Sequence, residues 1–378
     1  MPDIVYVDNN PDSFTHLIPG LEENRVGTFV YSEEYPAEDA LEPAKEAKVW
    51  LFDFFLVEPA HAQSKDENGL SLFQKWQAAV VEGRPTTVLI SSALESAIKE
   101  PLGPVERHHV IAQRRGVEWI GDKSIETWRR VVQLADGAAV ISDALKPAQE
   151  EGKPLGTYDL EQLCYGVLQV PKDAAWGNSA QRQVDRARPP REVPLLPPAT
   201  ARALLGWLIS HVLPYPSFLL TDAQAALRLQ ITPVSYRALA GAIEGEGDRT
   251  SHRTLLAASC YKGPLANFLG RRWWRAGIDD LAWQLSQEPD GYDPALERLG
   301  GAAGLEKLLQ PEPVLVADAD LVETDEVSDA SECVRVTDED FPANVEPAWV
   351  RIVDLQDNRE LKAKVIYEDR DLLEESAP

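Results

Sequence analysis

The chain of 378 residues carries a formal charge of -25, with 44% hydrophobic and 8% aromatic residues. Such a chain can bury a sizeable core in two or three domains, while its charge disfavours the phosphate backbone of nucleic acid and an anionic membrane as partners of the whole molecule. Three scattered cysteines, Cys164, Cys260 and Cys333, read as reduced thiols; no apolar run reaches the ~20 residues of a bilayer span, and "MPDIVYVDNN" lacks a secretory signal, so the expectation is a soluble, cytoplasmic protein.

Up to about residue 145, strand-like runs alternate with amphipathic stretches. The strands are expected at "IVYV" (4–7), "VGTFVYS" (26–32), "VWLF" (49–52), "TTVLI" (86–90) and "VEWI" (117–120). Between them lie the helical candidates 12–23, 37–48, 69–83 and 94–116, and "SIETWRRVVQLADGAAVISDAL" follows the last strand. This alternation predicts a five-stranded, doubly wound parallel sheet with helices on both faces, whose chemistry gathers at the carboxyl ends of the strands.

Those ends are polar. In "VWLFDFFL" an apolar run leads into Asp53, a carboxylate too costly to leave unpaired in a core. The first strand ends in Asp8, the fourth in Ser91 and Ser92, and Lys123 closely follows the fifth. Gathered in one crevice, the acids could serve as nucleophile toward a phosphoryl group and as Mg²⁺ ligand, the lysine could neutralise charge, and the hydroxyl could sense the modification.

The segments "VYVDNNPD", "VWLFDFFL", "VLISSA" and "WIGDKS" together resemble the receiver domain of bacterial two-component response regulators. The resemblance covers roughly the first 140 residues, at domain scale. It implies a flavodoxin-like fold, Asp53 as phosphoacceptor, Ser91 as switch hydroxyl and Lys123 as phosphate-contacting lysine. Asp8 and Asp53, with Asn9 as a weak third ligand, would hold Mg²⁺, and a sensor kinase or other phosphodonor would be the partner. Asn9 stands where the family usually has a second acid, which lowers affinity for a divalent cation. Ser124 follows the lysine in place of proline, and Ile120 replaces a frequent aromatic.

Residues 146–198 read as a Pro-rich, partly ordered linker, and 199–310 as an all-helical domain. Within the latter, "TDAQAALRLQITPVSYRALAGAI" (221–243) is similar to the helix-turn-helix of bacterial DNA-binding domains, with Arg237 on its second helix. "RRWWRAG" concentrates Arg271, Arg272, Trp273 and Trp274 as an expected protein interface or packed core, with nucleic acid disfavoured. Residues 311–378 form an acidic region with short β runs, a dozen acids between Glu312 and Glu346 standing against the single basic Arg335. "AWVRIVDL" and "LKAKVIYE" are expected to pair as a hairpin. The six histidines show no ligand spacing, and no phosphate-cradling loop, nucleophile elbow or zinc signature is present.

The expected function is therefore that of a response-regulator-like signalling protein, not an enzyme beyond phosphorylation and dephosphorylation at Asp53. Its receiver would answer to aspartyl phosphorylation or partner binding, with output by protein contact through the helical and acidic regions. The alternatives are a DNA-binding response regulator and a degenerate pseudo-receiver acting as an adaptor subunit.

Overall fold

The structure is a computed structural model that describes residues 2–10, 12, 25–30, 41–42, 44–56, 68–80, 83–150, 160–190, 197–243, 251–301, 304–342, 345–356 and 358–375. The expected helix at 12–23 apart from Asp12, part of that at 37–48, the insertion at 57–67 and residues 191–196 of the Pro-rich stretch lie outside the described residues. The chain divides into two compact units, the first formed by Met1–Gln169, Pro189–Ser210 and Gly263–Phe268 and the second by Val170–Arg188, His211–Lys262 and Leu269–Pro378.

The first unit is built on strands β1 (Ile4–Asp8), β2 (Val26–Val30), β3 (Val49–Asp53), β4 (Thr86–Ser91) and β5 (Trp119–Asp122). All pair in parallel in the order β2-β1-β3-β4-β5. Apolar residues occupy both phases of β1, β3 and β4, as a sheet covered on both faces requires. One phase, including Val5, Trp50, Phe52 and Leu89, joins a core with helices α1 (Gly69–Ala79), α2 (Leu94–Ile98) and α3 (His108–Arg114). Residues of the other phase, Ile4, Val49, Leu51, Val88 and Trp119, are equally buried.

The long helix α4 (Ile125–Glu150) packs on β3 and β4, and α5 (Leu160–Val167) packs on α4. The chain gives α6 (Gly177–Arg186) to the second unit and then returns with α7 (Pro197–Trp207), which lies along α4 and touches β4. Gly137 permits this close approach, because a Cβ there would stand 2.8 Å from Leu205 Cδ2. The segment 263–268 completes the unit, with Phe268 edge-on to Trp119 at 4.8 Å and its carbonyl accepting from Arg130 Nε at 3.0 Å.

In the second unit the two-residue strands β6 (Leu219–Leu220) and β7 (Trp273–Trp274) pair antiparallel. Around them stand α8 (Asp222–Arg228), α9 (Pro233–Ile243), α10 (Ser251–Ala258), α11 (Arg275–Ser286) and α12 (Tyr292–Gly300). Leu229, Tyr236, Leu239, Trp273, Ile278 and Leu281 lie in their shared core. A four-stranded sheet follows, in the order β10-β11-β8-β9, from β8 (Pro313–Ala317), β9 (Glu323–Asp329), β10 (Cys333–Val336) and β11 (Ala348–Arg351). The acid-rich "ETDEVSD" is thus the edge strand β9, where the exposed Asp325 and Glu326 discourage pairing with another chain, while Glu323 accepts from Gln224 Nε2 at 2.6 Å.

Three expectations change. The hairpin of 348–368 does not form: β11 pairs with β10 and β8, and "RELKA" is helix α13 (Arg359–Ala363), started by the Asn358 side chain accepting from the Leu361 amide at 3.1 Å. A last helix, α14, spans Arg370–Glu375. Residues 146–198 carry α5, α6 and parts of α4 and α7 among the described residues, so helix rather than linker prevails there. The span 199–310 is shared between the two units, because Pro189–Ser210 and Gly263–Phe268 pack with the parallel sheet.

Candidate functional site

The register of the parallel sheet sets the site. Val7 of β1 stands beside Phe52 of β3, which puts Asp8 and Asp53 abreast at the carboxyl end, while Ser91 of β4 stands beside Asp122 of β5. Where β3 ends, the Gly69 amide donates to the Phe54 carbonyl at 2.9 Å, and a Cβ on Gly69 would overlap the Asp53 carbonyl oxygen. Helix α1 therefore starts hard against the site, its Asn68 cap accepting from the Ser71 amide at 2.9 Å.

Lys123 joins the two acids. Its Nζ donates to Asp8 Oδ2 at 2.8 Å and to Asp53 Oδ2 at 3.0 Å, with the lysine side chain only 10% exposed. A tight turn presents it. Asp122 Oδ1 accepts from Ser124 Oγ at 2.6 Å and from Thr127 Oγ1 at 3.0 Å, and Ser124 Oγ in turn accepts from the Thr127 amide at 3.2 Å. Ser124, standing where the resembled family has proline, thus caps α4 and fixes the backbone beside Lys123.

Asp8 is fully buried and satisfied on both oxygens. Oδ1 accepts from the Asn10 amide at 2.7 Å, and Oδ2 accepts from Lys123 and from the Tyr6 hydroxyl. Burial, and after it the bond to Asp8, hold the Tyr6 hydroxyl far above its ordinary acidity range, so Tyr6 remains a donor. Asp53 differs. Among the described residues its buried Oδ1 has no hydrogen-bonding partner. Burial pushes its carboxyl up to about 6; the Asp8 charge adds to the rise, and Lys123 opposes it.

The structure brings Asp8, Asp53 and Lys123 together as expected from the sequence. Ser91 is buried at the adjoining strand end, its Oγ accepting from the Ala93 amide at 3.2 Å, and Ser92 is exposed. Asn9, half-buried, makes no hydrogen bond to Asp8, Asp53 or Lys123 among the described residues. Tyr6 is the site residue that the sequence reading missed. Its signal was the period of two along β1, which sets Tyr6 and Asp8 on one face.

The resemblance implies Mg²⁺, and the donor set does not fit it. Both Asp8 oxygens are engaged, Asn9 brings no charge, and the ammonium of Lys123 already lies between the carboxylates a cation would bridge. Among the described residues no group of three or more His, Cys, Asp and Glu side chains is placed to hold a metal ion.

The other singled-out residues lie in the second unit. Of the two expectations for "RRWWRAG", packed core holds for Arg272, Trp273 and Trp274, which are 3%, 2% and 2% exposed, and interface does not. Trp273 and Trp274 form β7, and Arg272 Nη2 donates to the Leu213 carbonyl at 2.9 Å. Arg271 lies over the Trp273 ring at 5.2 Å and donates to Asp222 Oδ2 at 2.9 Å, while Trp273 Nε1 donates to Asp222 Oδ1 at 2.6 Å. Helices α8 and α9 keep the helix-turn-helix spacing, with Gln230 left-handed at φ 53° in the turn. Arg237 on α9 is held by both oxygens of Asp325, each at 2.8 Å, so an acid of β9 stands against the helix that would read DNA.

Comparison of the chain with protein-family models, with curated proteins and with solved structures returned no match. No helix of the described residues is long and apolar enough to cross a membrane.

Proposed function

We propose that the first unit is a receiver-like signalling module, flavodoxin-like in its 2-1-3-4-5 strand order, that is switched by a protein partner and delivers its output through protein contact. The observation that carries this reading is the Lys123 ammonium bridging Asp8 and Asp53 at the carboxyl ends of β1 and β3. An internal cation in that place partly offsets the charge of the acidic pair without a metal, so the pocket holds its geometry at rest. Lys123 immediately precedes the Ser124 cap of α4, and a partner that loosens the clamp shifts the start of that helix.

One observation favours the second reading, Asp53 as phosphoacceptor: among the described residues its buried Oδ1 has no donor. Incubation with acetyl phosphate and Mg²⁺ followed by intact mass measurement separates the two. The partner-switched module gains no mass at Asp53, whereas a phosphate-sized gain in wild type that is absent in Asp53→Ala establishes phosphorylation and sinks the first reading.

A further inference from the structure

The second unit contains a cavity of about 650 Å³, within the range of small-molecule sites. Its walls carry three arginines, Arg186, Arg188 and Arg275, against two acids, Asp279 and Glu346. That excess of positive charge is local, in a chain whose net charge is -25. Arg275 accounts for both acids, with Nε 3.9 Å from Asp279 and Nη1 3.4 Å from Glu346. Arg186 and Arg188 are exposed and have no carboxylate partner among the described residues.

The backbone adds an independent observation. Arg188 follows the cap of α6 with a left-handed φ of 51°, a position where glycine is usual and an arginine is strained. Arg188 nonetheless lines the cavity, and a glycine there would relieve the strain while removing a charge. Pro216, Pro342 and Val345, all half-buried, supply the apolar part of the lining, with Phe218 buried behind it against Trp274 at 5.8 Å. The unpaired guanidiniums of Arg186 and Arg188 beside this apolar lining suit a ligand that joins anionic oxygens to an apolar body.

We propose that this cavity binds a phosphate-bearing small molecule of nucleotide size, held by Arg186, Arg188 and Arg275 at its phosphates. The test is calorimetric titration of the full chain with three probes: ADP, inorganic pyrophosphate and adenosine. ADP is expected to bind saturably below about 1 mM, with adenosine weaker by about tenfold or more. Arg186→Gln with Arg188→Gln should weaken ADP by about tenfold or more, while Arg182→Gln, on the same helix but outside the cavity, should leave it unchanged. Arg188→Gly removes one guanidinium and relieves the left-handed backbone, so it keeps the proposal open to refutation if the double variant does not fold. Absence of saturable ADP binding, adenosine binding as tightly as ADP, or equal loss in Arg182→Gln would overturn the proposal. Pyrophosphate binding as tightly as ADP would overturn the nucleotide-sized part of it.

Discussion

Replacing Asp53 by asparagine should stabilise the first unit. The Asp53 carboxyl is pushed up to about 6 by burial first and then by the Asp8 charge, against an ordinary value of 3.8. A carboxyl raised in the folded state binds its proton more tightly there than in the unfolded chain, so stability falls as pH rises from about 4 to about 6 and stays reduced above that. At about 1.4 kcal/mol per tenfold change in acidity, the penalty carried by ionised Asp53 at pH 7 is about 3 kcal/mol. Asparagine keeps the shape and an oxygen for Lys123 without the charge. Hydrogen–deuterium exchange read by mass spectrometry on peptides of β3 and β4 isolates this unit from the other. Asp53→Asn is expected to slow exchange by about 100-fold at pH 7 and by only about tenfold at pH 5. Protection that is unchanged, or a gain independent of pH, would refute the assignment of Asp53 as a strained, buried anion.

Lys123→Met leaves two buried carboxylates facing each other, which should destabilise the unit by about 3–5 kcal/mol in the same exchange assay. The same variant removes the cation from between the two acids, so a MgCl₂-dependent rise in Tm is expected for Lys123→Met and not for wild type; a rise of equal size in both would contradict the lysine's role as resident cation. Tyr6→Phe removes one donor from Asp8 Oδ2 and should cost about 1–3 kcal/mol, read as faster exchange in β1. In the second unit, Trp273→Ala should cost about 3–5 kcal/mol in urea unfolding, because its ring is 2% exposed. Arg237→Ala should change stability by less than about 1 kcal/mol, since its pair with Asp325 is 42% and 57% exposed.

The parallel sheet was legible because its signals are local. Each strand is a short apolar run closed by a polar residue, and β-α alternation places all those residues on one rim. Tyr6 escaped notice because an aromatic in a buried strand reads as packing, and only the shared face with Asp8 exposes the hydroxyl's task. For "RRWWRAG" the sequence left interface and packed core open. Its charge is conspicuous, but the partners that bury it, Leu213, Phe218 and Asp222, are 51–59 residues away along the chain, beyond what local pattern carries. "LKAK" alternates like a strand, and a single capping side chain, Asn358, decides for helix instead. The contribution of 189–210 and 263–268 to the first unit left no local mark, since an amphipathic helix does not name the surface it covers.

The polypeptide passes between the two units five times, at 169/170, 188/189, 210/211, 262/263 and 268/269. No single cut divides the gene into two self-sufficient cassettes, and a ribosome must finish residue 268 before the sheet-bearing half has all its own pieces. The two halves are thereby bound to be synthesised, inherited and degraded as one, so evolution cannot exchange either for another module by simple recombination.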